Sequence, residues 1–150
     1  MVEFDVQLSK DLVPVIYHDF FVCTAVHRKT DGQKVLLEMP LKTLTHEQLQ
    51  QLKIHHVKEQ ESGQLKTFTD EEDVDHQVCP SLIRAMNEVD VSCGFNIEIK
   101  WDMALKDGSR ECHNPFEMNL FMDTVLKTII SHGGKRKIVF SSFNPDICSM

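Results

Sequence analysis

Apolar and polar residues alternate without a break from Val2 to Leu8. Val2, Phe4, Val6 and Leu8 fall on one side, and Glu3, Asp5 and Gln7 on the other. That is the period of a strand with a single apolar face. Lys10 and Asp11 mark a turn, and Val13-Pro14-Val15-Ile16-Tyr17 reads as a second short strand, with Pro14 better placed at its start than in its middle. Past His18 and Asp19 the pattern dissolves, and a polar connection is expected through Asp31 and Gly32. Thr45 with Gln48 spells a capping box, and Leu44 with Leu49 a hydrophobic staple, so a short helix is expected to open at Thr45. The stretch 58–75 has no clear periodicity and contains Asp70-Glu71-Glu72-Asp73; it reads as a solvated insertion loop.

The second half is more regular. Pro80-Ser81 starts a short helix carrying Leu82, Ile83, Met86 and Val89. Gly94 leads into the clearest strand, in which Phe95, Ile97, Ile99 and Trp101 share one face and Asn96, Glu98 and Lys100 the other. The longest helix is expected next, with Asn114 as N-cap, Pro115 at its first position and Glu117 completing the box. Met118, Phe121, Met122, Val125, Leu126, Ile129 and Ile130 form its apolar stripe, and Gly133-Gly134 stops it. Ile138 to Phe143 is a final strand, closed by Asn144-Pro145. Strands alternating with helices imply parallel βα units. Four such strands fit a doubly wound sheet or part of a barrel, and periodicity does not choose between them.

Composition narrows the classes. A chain of 150 residues is the size of one domain. The formal charge of -7 argues against a broad phosphate-neutralising surface, and so against nucleic acid as partner. No apolar run is long enough to span a bilayer. Glu3 and Asp5 stand where a secretory leader needs a basic start, so a cytoplasmic location is expected. The five cysteines are scattered without a C-x-x-C pair, which suggests free thiols rather than a disulfide framework or structural zinc.

Candidate chemistry lies on the polar faces of the strands. If helices cover one face of a parallel sheet, Glu3, Asp5, Glu98 and Lys100 share the other. In a barrel interior they would form an enclosed site near the strands' C-terminal ends. Carboxylates held together there repel one another unless a cation joins them, and hard oxygen donors favour Mg²⁺ or Ca²⁺. The same alternation also fits an antiparallel sheet with a wet face, where these residues are plain surface. His18, beside Asp19 at a strand end, is a candidate general acid or a structural histidine. His55-His56 lacks the further ligand a zinc site needs, and no P-loop, G-x-S-x-G or H-E-x-x-H motif is present.

The run Glu3-Phe4-Asp5-Val6-Gln7-Leu8-Ser9-Lys10-Asp11, followed by Val13-Pro14-Val15-Ile16-Tyr17-His18-Asp19, resembles the E-x-D-V-x-x-(S/T)-K-D…P-V-(V/I)-x-H-D block of the glycerophosphodiester phosphodiesterase family. Phe95 to Lys100 resembles the family's next metal-ligand strand, and Gly134 to Phe143 the strand after it. The resemblance implies an α/β fold, a partial TIM (β/α)8 barrel comprising approximately strands two to five with their helices. It implies metal-dependent hydrolysis of glycerophosphodiesters, glycerophosphocholine foremost, to glycerol 3-phosphate and an alcohol such as choline, in glycerophospholipid metabolism. Glu3, Asp5 and Glu98 would hold one divalent cation, Mg²⁺ or Ca²⁺. His18 would protonate the leaving alkoxide, and Lys100 would sit beside the substrate phosphate.

The family's His-Arg-Gly strand would lie upstream of Met1, and its last strands beyond Met150. Residues 1–150 are therefore expected to be an incomplete phosphodiesterase domain. The strands at Val2–Leu8 and Ile138–Phe143 would then be open edges that invite self-association. The alternative function is a catalytically incompetent chain that binds or regulates, or that has no function of its own.

Overall fold

The computed structural model describes residues 1–27, 34–53, 55–59, 65–69, 79–113 and 116–150. In chain order its strands are β1 (Val2–Leu8), β2 (Pro14–Ile16), β3 (Phe21–His27), β4 (Lys34–Pro40), β5 (His55–Glu59), β6 (Leu65–Thr69), β7 (Phe95–Ile99) and β8 (Ile138–Ser141). Its helices are α1 (His46–Gln51), α2 (Leu82–Glu88), α3 (Met118–His132) and α4 (Pro145–Cys148).

The main sheet has the order β2-β1-β7-β8. β7 lies parallel between β1 and β8. The Pro14–Ile16 strand, expected to be parallel, returns antiparallel instead. The reason is the length of the connection. Ser9 to Val13 is a tight turn, closed by Ser9 Oγ donating to Asp11 Oδ1 at 2.6 Å and accepting from Val13 N–H at 3.0 Å, whereas a parallel return needs a crossover of a dozen or more residues. The same return corrects the edge assignment. β1 pairs with β7 over Val2–Val6 and with β2 over Val6–Leu8, so among the described residues its open side is confined to residues 2–5, and the outermost strands of the sheet are β2 and β8.

Helices α2 and α3 cover one face of this sheet. Val6, Leu8, Phe95, Ile97 and Ile99 meet Leu82, Met86, Phe121, Met122, Val125 and Ile129 in the main core. The strand stops at Ile99, two residues short of its expected end, yet Trp101 still enters the core and meets Phe121 edge-to-face at 5.2 Å. Phe4 packs on Phe95 in the same way at 4.9 Å.

The long helix begins at Met118, with Glu117 in the N-cap position and no side-chain cap bond. The expected caps, Asn114 and Pro115, lie outside the described residues. Phe121, Met122, Val125 and Ile129 of its stripe are buried and Met118 and Leu126 partly so, but Ile130 is 80% exposed. Successive helical residues are turned by about 100°, so once Ile129 faces the sheet its neighbour faces away. The helix ends at Gly133, and Gly134 takes a φ of 57°, the left-handed conformation that glycine adopts at little cost.

Around this sheet lie smaller pieces. The polar connection expected after Asp19 is instead a hairpin of β3 and β4. Its signal was weak because Cys23, Thr24 and Ala25 dilute the apolar run. Val22 and Thr24 are nevertheless both buried, and the Thr24 hydroxyl donates to Lys53 O at 2.9 Å. β5 and β6 form a second hairpin. Of the 58–75 segment, residues 58, 59 and 65–69 belong to it, and the rest lie outside the described residues. The capping box at Thr45 forms in full, with both reciprocal bonds made to Gln48. Leu49 and Leu44 join Val15, Val22 and Leu41 in a second core. Asn144-Pro145 does more than close a strand, because Asn144 caps α4 by accepting from Asp146 N–H at 2.9 Å. All five cysteines are free thiols. Burial pushes the Cys79 thiol up to about 12, which leaves it inert.

Candidate metal and active site

The parallel register of β1 and β7 sets Asp5 opposite Glu98, and Glu3 opposite Asn96. Because side chains alternate between faces, Glu3 and Asp5 emerge on the same side as Glu98, away from α2 and α3. One carboxylate oxygen from each of Glu3, Asp5 and Glu98 lies within 4.8 Å of the others. Lys100, two residues beyond Glu98 on the same face, reaches Asp5 Oδ1 at 3.3 Å and Glu98 Oε1 at 3.4 Å.

This is not a wet surface. The side chains of Asp5, Glu98 and Lys100 are only 12–14% exposed, while Glu3 stays open to solvent. Burial raises the Glu98 carboxyl above its ordinary value; the Asp5 charge pushes the same way and Lys100 pulls against them. Asp5 Oδ1 has no hydrogen bond, although the Lys100 ammonium is near enough for an ion pair. Three carboxylates face one ammonium, so two negative charges remain to be balanced when all are ionised. Hard oxygen donors, a buried oxygen lacking a hydrogen bond and surplus negative charge suit a divalent Mg²⁺ or Ca²⁺ ion.

His18 sits just past β2. Its Nδ1 donates to Asp19 Oδ1 at 2.6 Å, which leaves Nε2 as the atom able to exchange a proton with a ligand. The ring is 71% exposed. Its backbone, by contrast, is tied down. Tyr17 N–H donates to Asp5 O at 3.1 Å. The buried Gln7 amide donates to the carbonyls of Tyr17, His18 and Asp19 at 2.8, 3.3 and 2.9 Å. The structure thus brings Glu3, Asp5, Glu98 and Lys100 into one cluster and anchors the His18 turn to the strand that carries Asp5.

Gln7, which ties down the turn that carries His18, has no role assigned from sequence. The signal was present, since it continues the Glu3-Asp5 face. Asp102 was also missed. It is 1% exposed, and its Oδ2 accepts from Arg110 Nε at 2.5 Å just beyond the Lys100 end of β7.

Comparison with known proteins identifies the family of the chain. The profile of the glycerophosphoryl diester phosphodiesterase family matches residues 1–150, and the chain belongs to that family. Among curated relatives, human glycerophosphocholine phosphodiesterase is 46% identical over 99% of this chain and 23% of its own length. A Caenorhabditis elegans homologue of that enzyme is 40% identical, over 99% of this chain and 24% of its own. The chain therefore spans about a quarter of the length of these relatives. Among solved structures, the glycerophosphoryl diester phosphodiesterase domain of a Mycobacterium tuberculosis protein superposes with a TM-score of 0.57 at 17% identity, covering 98% of this chain and 43% of that one. A Thermotoga maritima glycerophosphodiester phosphodiesterase gives 0.51 at 23% identity, covering 97% and 42%. At these identities the structures speak to the fold alone.

Proposed function

We propose that this segment supplies the metal-binding half of an active site that hydrolyses glycerophosphodiesters, with glycerophosphocholine as substrate and glycerol 3-phosphate and choline as products. The observation that carries the reading is the cluster of Glu3, Asp5 and Glu98 at 4.8 Å, inside the region that matches the family. Glu3, Asp5 and Glu98 hold one Mg²⁺ or Ca²⁺ ion. When bound, the ion supplies positive charge to the phosphate oxygens. Lys100 screens the two buried carboxylates and adds a further positive charge beside the phosphate. His18, with Nδ1 held by Asp19, delivers the proton on Nε2 to the oxygen of the departing alcohol as its P–O bond breaks and the oxygen of water forms the new bond to phosphorus. Gln7 keeps that histidine's turn in place. In this reading β1, β7 and β8 are consecutive strands of a TIM barrel, β2 is a short return at its rim, and residues 1–150 form part of the phosphodiesterase domain. The work belongs to glycerophospholipid metabolism in the cytoplasm, where the free thiols are stable.

The second reading, binding without turnover, is favoured by the open position of His18, 71% exposed. Two measurements separate them. Calorimetric titration with Mg²⁺ and Ca²⁺ should show one site, lost in Glu98→Gln. A chimera in which residues 1–150 replace the aligned segment of the human relative should release choline from glycerophosphocholine in the presence of the ion. A chimera that folds, binds the ion and leaves the substrate intact rejects the hydrolytic reading in favour of binding alone.

A further inference from the structure

Beside the carboxylate cluster lies an open hollow of about 240 Å³ lined by Phe20, Trp101, Met103, Phe143, Glu111 and the Glu98–Lys100 end of β7. We propose that this hollow receives the quaternary ammonium group of the substrate, a deepening of the function proposed above that rests on the phosphate lying at the carboxylate cluster.

The wall has the chemistry such a group requires. A trimethylammonium ion has no N–H to donate, so hydrogen bonds cannot select it. Aromatic faces and a nearby negative charge can. Trp101 is held by its edge-to-face contact with Phe121 at 5.2 Å. Phe143 is 73% exposed, an exposure the core does not explain. Its position is nonetheless constrained from both sides. Ser142 Oγ donates to Ile99 O at 2.9 Å, and Asn144 Nδ2 donates to Asp102 O at 3.3 Å. Both tethers run to the segment that carries Trp101, so the two rings are kept on the same hollow without needing to touch.

The charge is in place as well. Glu111 Oε2 accepts from Met103 N–H at 3.1 Å, which holds its carboxylate in the wall. Lys100 also lines the hollow, but its ammonium is engaged by Asp5 and Glu98 at 3.3 and 3.4 Å, which blunts its repulsion of a second cation. Glu98 borders both the hollow and the carboxylate cluster. A phosphodiester with its phosphate at the cluster therefore has its head group within a short linker of the hollow.

Trp101 is the sole tryptophan of the chain and reports on the hollow directly. The test is fluorescence titration with choline, with ethanolamine, and with dimethylbutanol, the neutral carbon isostere of choline. Choline should change the Trp101 emission in a saturable way, and dimethylbutanol should bind about threefold to thirtyfold more weakly, the worth of one cation–π contact. Phe143→Ala, at an exposed position, should weaken both ligands but choline more, because it removes a cation–π face along with apolar contact. Glu111→Gln, which keeps the bond to Met103 N–H, should weaken choline alone. Equal affinity for choline and dimethylbutanol, or choline binding untouched by both variants, overturns the proposal. So does the absence of any choline response in a chain that still binds Mg²⁺ or Ca²⁺, an outcome that leaves the proposed hydrolysis standing. Choline binding in a chain that binds no divalent ion supports the hollow and removes the metal-dependent reading instead.

Discussion

A buried charge lies near each end of β7, and the two are treated differently. At its start the Arg136 guanidinium lies 4.0 Å from the centre of the Phe95 ring. It donates to the carbonyls of Asp90 at 2.8 Å, Val89 at 2.6 Å and Met86 at 3.4 Å, and to that of Cys93. These carbonyls lie at the end of α2 and in the turn after it, where helical acceptors lack partners of their own. Apart from Nε, Arg136 has its hydrogen bonds met. At the other end, Asp5, Glu98 and Glu3 crowd together with Lys100 as their shared cation, and one oxygen goes without a hydrogen bond. A charge whose terminal guanidinium nitrogens are taken up by the chain's own carbonyls ties the chain together. A cluster left with surplus charge is poised to take a partner from outside, and its cost to the fold is the condition for binding.

That contrast can be broken most severely at the functional end. In the chimera with the human relative, His18→Ala should lower turnover of glycerophosphocholine by about 10²- to 10⁴-fold, the usual worth of a positioned acid or base. A nitrophenyl ester, whose alcohol leaves without help, should lose much less. Equal losses on the two substrates would show that His18 positions the site and gives up no proton. Stability should be almost unchanged, because the ring is 71% exposed.

Arg136→Ala should do the reverse. Removing the guanidinium deprives four carbonyls, most of them part-buried, of their donor and takes the cation from Phe95, at a cost of about 3 kcal/mol. Urea denaturation should show a lower midpoint with the same slope, while any variant molecules still folded should bind Mg²⁺ or Ca²⁺ as before. An unchanged midpoint would mean that the carbonyls find other donors and that Arg136 is not a structural clamp.

The smallest effect sharpens the comparison through pH. The Glu98 carboxyl is raised in the folded chain, by burial first and then by Asp5, so protonation of this group favours folding. Its contribution is complete below the ordinary carboxylate value and is lost as pH rises through the raised one. Without divalent ions, the wild type should therefore gain more stability than Glu98→Gln when the pH is lowered from neutral into the carboxylate range. Denaturation midpoints of the two proteins across that range measure the difference. With the ion bound, the wild-type gain should vanish. Parallel curves would mean that the carboxylates do not strain the fold.

Much of the site could be read from the chain because the strand period does half of the geometry. Once Val6, Leu8, Ile97 and Ile99 must face a core, Asp5 and Glu98 have to face the other way. The alternation does not say that the two strands are neighbours, or in which register, and only the pairing of Asp5 with Glu98 makes a cluster from separate acids. Gln7 lies on the readable face, but its work is done on carbonyls ten to twelve residues away. Arg136 acts on carbonyls 43 to 50 residues away, at the end of α2 and in the turn after it, which no local pattern expresses.

Local chemistry decided the elements whose signals are short-range. The capping box at Thr45, the glycine stop after Ile130 and the alternation of β1 and β7 all follow from neighbours in the chain. The β3–β4 hairpin, the exposure of Ile130 and the placing of Phe143 and Trp101 on one hollow were decided by tertiary structure. Each depends on contacts between segments distant in sequence, or on which side of an element meets the sheet. A one-dimensional pattern can assign a residue to a face, but the partner across that face comes only from the folded chain.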